Sequence, residues 1–209
     1  MIATGPSPTF GDDTMATAFI LLLLGFAFNA ASAFTGSYAR WFGDRPGQIL
    51  TGILRNVVGI PVWVSGLVLA VGLPSQQIAR VSVLSAAVAW VLLGAGALLQ
   101  LMALLALRRS AALPSMRDGL VQHGIYAHIR HPIYAGLLLE FAGIVLLHPH
   151  FAAILACALG ACWCILQAHL EEVDLVQRIP AYREYMARLP RFAPRISHTP
   201  LSRRRPHRG

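Results

Sequence analysis

The sequence predicts an all-α, polytopic membrane protein with about five transmembrane helices. Hydrophobic residues occupy 56% of the 209 positions and charged residues only 12%, about half the charged share of a typical soluble domain. The apolar residues also occur in long blocks, and a bilayer core of roughly 30 Å requires about 20 residues of helix. The connections between the blocks are alternately rich and poor in arginine. Together these observations define the fold class.

The first fourteen residues are expected to form a disordered lead, because Gly, Pro, Ser and Thr dominate them. They contain Asp12 and Asp13 and no basic residue, whereas a secretory signal peptide begins with positive charge. We therefore expect the following block to be a retained first transmembrane span.

Three blocks are long enough to cross a bilayer, at residues 15–34, 49–73 and 81–107. Residues 15–107 are thus expected to form a three-span region with little titratable chemistry. In the second block glycines recur around Pro61. Small residues let membrane helices approach closely, and proline is tolerated in them. The pattern predicts tight helix packing with a kink near Pro61.

Two shorter blocks follow at 133–147 and 151–170, separated by His148, Pro149 and His150. Fifteen helical residues extend only about 22 Å, less than the bilayer core. We interpret the pair as a short helical hairpin whose ends begin within the cytoplasmic interface. This geometry brings residues 130–132 and 167–172 to the same membrane depth.

All 17 basic residues are arginine, and sixteen of them fall in or beside alternate connections and the C-terminal region. Arg80 is the single arginine of the second connection, and the fourth connection has none. This is the positive-inside pattern for five spans. It predicts an external N-terminus, a cytoplasmic C-terminal helix and a basic tail at 196–209. The same distribution explains the excess positive charge without a nucleic-acid partner.

The region 108–195 contains most of the polar chemistry, including three short motifs. The first is G-x-Y-x-x-x-R-H-P-x-Y-x-G at residues 124–136. The second is E-E-x-x-L at residues 171–175. The third is Y-x-x-Y followed by P-R-F-x-P within residues 182–194. By contrast, Cys157, Cys162 and Cys164 lack metal-ligand spacing, so we expect them to be packing residues and predict no metal site.

These motifs, in this order and spacing, resemble the isoprenylcysteine carboxyl methyltransferases and the related phospholipid methyltransferases. The resemblance covers roughly residues 115–195. It implies a catalytic region at 108–195 with a cytoplasm-facing pocket for S-adenosyl-L-methionine, in a multi-pass protein of the bacterial inner (plasma) membrane. The cofactor-binding residues carried over from the family are Asp118, Gly119, Leu120, Val121, Tyr126, His131, Pro132, Ile133, Tyr134 and Glu171. A carboxylate such as Glu171 suits the cofactor's ammonium group or ribose hydroxyls, and tyrosine rings attract its sulfonium.

One position departs from the family pattern. In the eukaryotic carboxyl methyltransferases an arginine stands one helical turn before the first glutamate and meets the substrate carboxylate, whereas this chain has Gln167. Glutamine lacks the charged fork that favours a carboxylate. The resemblance therefore assigns the catalytic positions to Gln167 and to Arg191, the motif arginine that would supply the missing charge if the acceptor is a carboxylate.

The expected partners are a lipophilic or prenylated acceptor and membrane lipids. The alternatives are a phospholipid or amine N-methyltransferase, a small-thiol S-methyltransferase, and a non-catalytic membrane protein that binds a ligand. N- or S-methylation requires a proton acceptor, for which His123 and His128 are candidates. Glu140 lies within an apolar block, so it is expected to face the protein interior, either in a structural pair or on an acceptor tunnel.

Overall fold

The computed structural model describes residues 10–109 and 120–194, which form helices joined by short connections. The helices are α1 Phe10–Ala31, α2 Thr35–Phe42, α3 Asp44–Gly52, α4 Ile60–Gly72, α5 Val83–Arg109, α6 Pro132–Leu147, α7 Phe151–Arg178 and α8 Tyr182–Arg188. A π-helical segment, Ile53–Gly59, makes α3 and α4 continuous, and a 3₁₀ turn, Gly124–Ala127, precedes α6.

Four helical stretches of the described chain are long and apolar enough to cross a membrane. They are Asp13–Ala31, Asp44–Gly72, Val83–Arg108 and Phe151–Arg178. Helix α6 is also apolar but has only 16 residues, about 24 Å at 1.5 Å per residue. Many large apolar side chains point outward, among them Val83 and Trp90. The predicted all-α membrane fold with a short fourth helix is confirmed.

The second arm of the hairpin is longer than the sequence indicated. Helix α7 continues through the acidic segment to Arg178. Its carboxylates have partners there: Asp174 accepts the Gly36 backbone N–H at 3.0 Å and the Arg178 Nε–H at 2.7 Å. Because these charges are satisfied inside the protein, the helix does not end where the apolar block ends.

The first connection is more ordered than expected. It contains α2 and the start of α3, and α2 begins against α7 through the Gly36–Asp174 bond. Helix α1 already begins at Phe10, so the end of the predicted disordered lead is helical. Residues 1–9 and the predicted basic tail at 196–209 lie outside the described residues.

Close backbone contacts hold the helices together, in the second span, where the glycine pattern predicted tight packing, and also between α5 and α6. Gly66 of α4 packs against α1, where an added Cβ would lie 2.5 Å from the Leu22 nitrogen. Gly96 of α5 and Gly136 of α6 face each other, and a Cβ on either would lie 2.6–2.7 Å from the other's carbonyl oxygen. In lipid, helix association depends on such van der Waals contact.

At Pro61 the structure shows a π-helical segment immediately before the proline. The Ile60 N–H donates to the Arg55 carbonyl five residues earlier. Proline lacks an N–H and crowds the carbonyl of the preceding turn. The wider π-helical turn is the departure from regular α-helical geometry that lies next to Pro61.

The two connections at the opposite end from α8 contact each other. The Ile78 N–H donates to the Pro149 carbonyl at 2.8 Å. His150 caps α7, and its Nε2 lies 3.0 Å from the Val71 carbonyl. The connection that holds Arg80 and the tip of the α6–α7 hairpin are therefore on the same side of the helices.

The Gly96–Gly136 contact gives a first prediction. Gly96→Ala places a methyl group against a backbone carbonyl, so we expect a loss of about 1–3 kcal/mol of stability through forced separation of α5 and α6. Gly94→Ala is the matched control, because nothing lies within 4 Å of the added Cβ on the same helix. Thermal unfolding in detergent measures the stability of both variants. Equal midpoints for the two variants would contradict the close crossing.

Candidate active site

A cavity of about 300 Å³ lies between the helices. The π-helical segment and α4 form one wall, and α5, α6 and α7 form the others, with residues 120–131 at one end. Its lining contains apolar side chains, among them Trp63, Leu104, Leu137 and Trp163, and polar or charged ones, among them Gln100 and Glu171. The cavity is therefore amphiphilic.

Seven of the ten predicted cofactor-binding residues line this cavity. They are Leu120, Val121, Tyr126, His131, Ile133, Tyr134 and Glu171. Pro132 is buried as the first residue of α6 and does not line the cavity. Asp118 and Gly119 lie outside the described residues. The structure thus brings the first two motifs into one site, although their roles stay predictions.

Glu171 carries the carboxylate of the cavity wall. One oxygen, Oε1, accepts from Arg55 Nη2 at 2.5 Å, from the Tyr134 hydroxyl at 2.7 Å and from Gln167 Nε2 at 3.4 Å. The other, Oε2, has His131 Nδ1 at 4.0 Å. Donors thus crowd one oxygen, while the second has no such close partner among the described residues.

Glu172 has a different environment although it is the next residue. Its side chain is only 2% exposed; it forms ion pairs with Arg130 and Arg191 and a hydrogen bond with His131. The distances are 3.2 Å from Arg130 Nη2 and 3.0 Å from His131 Nε2. Successive helical residues point about 100° apart. Glu171 therefore faces the cavity, whereas Glu172 joins segments behind it.

The third motif is docked against the first. Backbone N–H groups of Arg130 and His131 donate to the carbonyls of Pro190 and Arg191 at 3.1 and 3.0 Å. The Tyr185 hydroxyl donates to the Tyr126 carbonyl at 2.7 Å. These bonds fix the 3₁₀ turn and the start of α6, so the third motif holds the cofactor-binding candidates in place.

The tyrosines around this end of the cavity are buried and stay protonated. Burial raises the pKa of Tyr126 and of Tyr182 well above the ordinary phenol value. Burial also raises the pKa of Tyr185 to about 12. Neutral phenols offer a hydrogen-bond donor and an aromatic face, and they do not act as bases near neutral pH.

The two residues predicted to be catalytic lie outside the cavity lining. Gln167 is 1% exposed and donates to the Asn29 carbonyl at 3.0 Å as well as to Glu171. Arg191 forms a close ion pair with Glu172. The structure therefore places Gln167 as a neighbour of the site and Arg191 behind it, in the docking contact of the third motif.

The sequence interpretation missed Arg55, which lines the cavity beside Glu171. The sequence placed Arg55 with the arginines beside the first connection. In the structure it lies in the π-helical segment, within the second membrane-crossing helix. An ionisable side chain inside an apolar helix is itself a signal of function. Asn29, Asn56 and Trp63 also line the cavity from the N-terminal half.

The remaining candidates are outside the cavity. His123 and His128 are exposed and do not line it. Glu140 packs against Gly96, where α5 crosses α6. Cys157 and Cys164 are buried and Cys162 is exposed, with no disulfide formed by any of them. Within the described ranges no group of His, Cys, Asp or Glu could hold a metal ion.

The apolar helices indicate an integral membrane protein, and the cavity between them is a candidate ligand site. The family model of phospholipid methyltransferases matches residues 84–182, just under half of the chain. Through this region, which contains the first two motifs, the chain is similar to that family of membrane methyltransferases. Family members in general use S-adenosylmethionine. No curated protein and no solved structure gives a significant match.

Proposed function

We propose that this protein transfers the methyl group of S-adenosyl-L-methionine to a lipophilic acceptor that enters the cavity from the bilayer. The observation that carries the proposal is the junction of two environments in one cavity. The motif residues Tyr126, Tyr134 and Glu171 line it together with apolar side chains of α4, α5 and α6, and Asn29 and Gln100 add further polar groups.

The charged and aromatic residues of the lining fit the cofactor. Glu171 is the one carboxylate among the described lining residues, and its Oε2 is not crowded by donors. Arg130 also lines the cavity, and its buried Nε–H has no partner among the described residues. A carboxylate and a guanidinium are the groups that would hold the ammonium and carboxylate of an amino-acid end. Aromatic rings nearby suit the adenine and the sulfonium.

The bound cofactor supplies an electrophilic methyl group. The chain's own contribution is alignment and exclusion of water, because methyl transfer is an in-line displacement. Tyr134 is held by its bond to Glu171 and by stacking with His131 at 5.7 Å between ring centroids. Trp63 and Trp163 are buried residues of the cavity lining, and their rings would exclude water from a bound acceptor. Rigid packing of this kind suits a reaction that depends on geometry.

A lipophilic acceptor is supported by the composition of the cavity. Much of its lining is apolar and lies between helices that are long enough to span the bilayer. An acceptor with a hydrocarbon chain would place the chain against these apolar side chains and its reacting head group beside the polar ones. The prenylated cysteine acids, the phospholipid amines and the alkane thiols all have this form, and a labelled-methyl assay with one of each compares them directly.

The cofactor site gives a second prediction. Glu171→Gln removes the negative charge but retains the shape, so we expect cofactor affinity to fall by about 1–3 kcal/mol, the range for a charged or buried hydrogen bond. Isothermal titration of detergent-purified protein with S-adenosylmethionine measures it. Glu184→Gln is the matched control, since Glu184 is exposed on α8. Equal affinity of wild type and Glu171→Gln would remove Glu171 from the cofactor site. Failure of the wild type to bind would overturn the proposed function itself.

A further inference from the structure

An aromatic and basic surface covers the end of α2 and the start of α3. Trp41 is 71% exposed and Phe42 is 58% exposed, and their ring centroids lie 6.4 Å apart. Tyr38 adds a third ring, 6.1 Å from that of Trp41. Arg40 and Arg45 flank Trp41 and Phe42 in the sequence and are exposed as well. We call these five residues the α2 surface. Exposed apolar groups that lie together and are rimmed by charge are typical of a surface that binds a partner or a membrane.

The fold holds the α2 surface in one position. Gly47 of α3 packs against α2, where an added Cβ would lie 2.6 Å from the Ala39 nitrogen. The start of α2 is bonded to α7 through the Gly36 N–H and Asp174. Gly36 and Ala39 therefore face the protein. Because successive helical residues point about 100° apart, Trp41 and Phe42 project away from that side.

The lengths of two helices place the α2 surface at the depth of the lipid headgroups. The stretches Asp44–Gly72 and Phe151–Arg178 have 29 and 28 residues, about 43 and 42 Å at 1.5 Å per residue. They are level at the end opposite α8, where His150 Nε2 lies 3.0 Å from the Val71 carbonyl. A bilayer with both headgroup layers is about 40–45 Å thick. The end that carries Asp44, next to the α2 surface, therefore reaches the headgroup layer on the α8 side.

The charges of the α2 surface are not balanced by the described part of the protein. Neither Arg40 nor Arg45 takes part in an ion pair among the described residues, and Asp44, the acid of this stretch, forms none either. Arg40 Nη2 donates to the neutral Ser37 hydroxyl at 3.0 Å. Anionic headgroups attract arginine at the membrane surface, and tryptophan and tyrosine rings are enriched at the same depth. Charge and depth together indicate an anionic lipid as the partner.

We propose that the α2 surface is a docking site for anionic lipid headgroups in the leaflet on the α8 side. Arg40 and Arg45 bind the phosphate groups, and the rings of Tyr38, Trp41 and Phe42 lie between the headgroups and the first carbons of the acyl chains. The site is separate from the cavity, since none of the five residues lines it. It involves neither the cofactor nor the methyl acceptor.

Trp41 makes the contact directly measurable. The protein is placed in phosphatidylcholine nanodiscs that contain rising fractions of a lipid brominated in the upper part of its acyl chains, because bromine quenches tryptophan fluorescence at contact. The difference between wild type and Trp41→Phe isolates Trp41 from Trp63, Trp90 and Trp163. We expect brominated phosphatidylglycerol to reach half-maximal quenching at a fraction about fivefold lower than brominated phosphatidylcholine. Fivefold corresponds to about 1 kcal/mol, the scale of one arginine at an anionic surface.

Variants then assign the preference to the two arginines. Arg40→Gln with Arg45→Gln should make the two brominated lipids equivalent, while both lipids still quench Trp41. The matched control is Arg80→Gln with Arg183→Gln, which removes the same charge from exposed positions outside the α2 surface and should retain the preference. In the wild type the preference should also fall between 0.1 M and 1 M salt, because the screening length decreases from about 10 Å to about 3 Å.

Four outcomes would overturn the inference. The first is equal quenching of wild-type Trp41 by the two lipids. The second is a preference that survives removal of both arginines, and the third is a preference that salt does not reduce. The fourth is a Trp41 that neither lipid quenches but aqueous iodide does, since the α2 surface would then face water and suit a soluble protein instead. If the double variant fails to fold, the salt dependence of the wild type decides.

Discussion

Replacing Glu172 by glutamine should destabilise the protein more than any other single change considered, by about 3–5 kcal/mol. Its carboxylate is buried, forms ion pairs with Arg130 and Arg191, and lies 3.0 Å from His131 Nε2. Glutamine has nearly the same volume but no charge, so two guanidinium groups would remain with an uncompensated charge. We expect a thermal transition at a lower temperature than that of the wild type, in which the third motif separates from the first.

The adjacent residue provides the comparison. Glu171→Gln removes a carboxylate whose pairing involves one arginine and which is partly exposed to the cavity. It should reduce cofactor affinity with a smaller loss of stability, whereas Glu172→Gln should reduce both. Thermal unfolding with and without S-adenosylmethionine separates the two effects. If Glu172→Gln unfolds at the wild-type temperature, the ion-pair cluster does not hold the site together.

Reporter fusions should give an all-or-none result for the orientation of the chain. A fusion after Arg195 is expected in the cytoplasm, where alkaline phosphatase is inactive and a fluorescent protein folds. A fusion after Ala79 is expected outside, with the opposite pair of signals. The reason is the arginine distribution, because Arg80 is the single arginine on the side where Ile78 meets Pro149. Phosphatase activity after Arg195 would contradict the predicted cytoplasmic orientation of the C-terminal region.

The sequence predicted the meeting of the motifs because their positions follow from simple geometry. A short apolar hairpin forces the residues before its first arm and after its second arm to one depth. The bonds from Tyr134 to Glu171 and from His131 to Glu172 are the result. Motif order and spacing, through the family resemblance, then indicated which of these side chains line the site.

Other features depend on contacts that no local pattern contains. Arg55 reaches Glu171 only because α1, the π-helical segment and α7 pack together, so its sequence position indicated no more than a charge at a membrane boundary. Arg191 was assigned by elimination among motif arginines, yet its distance from Glu172 is a property of the docked third motif. Helix α2 was missed because tertiary contacts such as the bond from Gly36 to Asp174 support it.

Two different parts of the sequence form the walls of the cavity. Tyr126, Tyr134 and Glu171 lie within the stretch 84–182 shared with the methyltransferase family, whereas Arg55 and Trp63 come from the preceding helices. Mutations can therefore accumulate on the N-terminal wall without altering a single motif residue. A chimaera that exchanges the second membrane helix between two relatives would therefore separate the contribution of this wall from that of the motif residues.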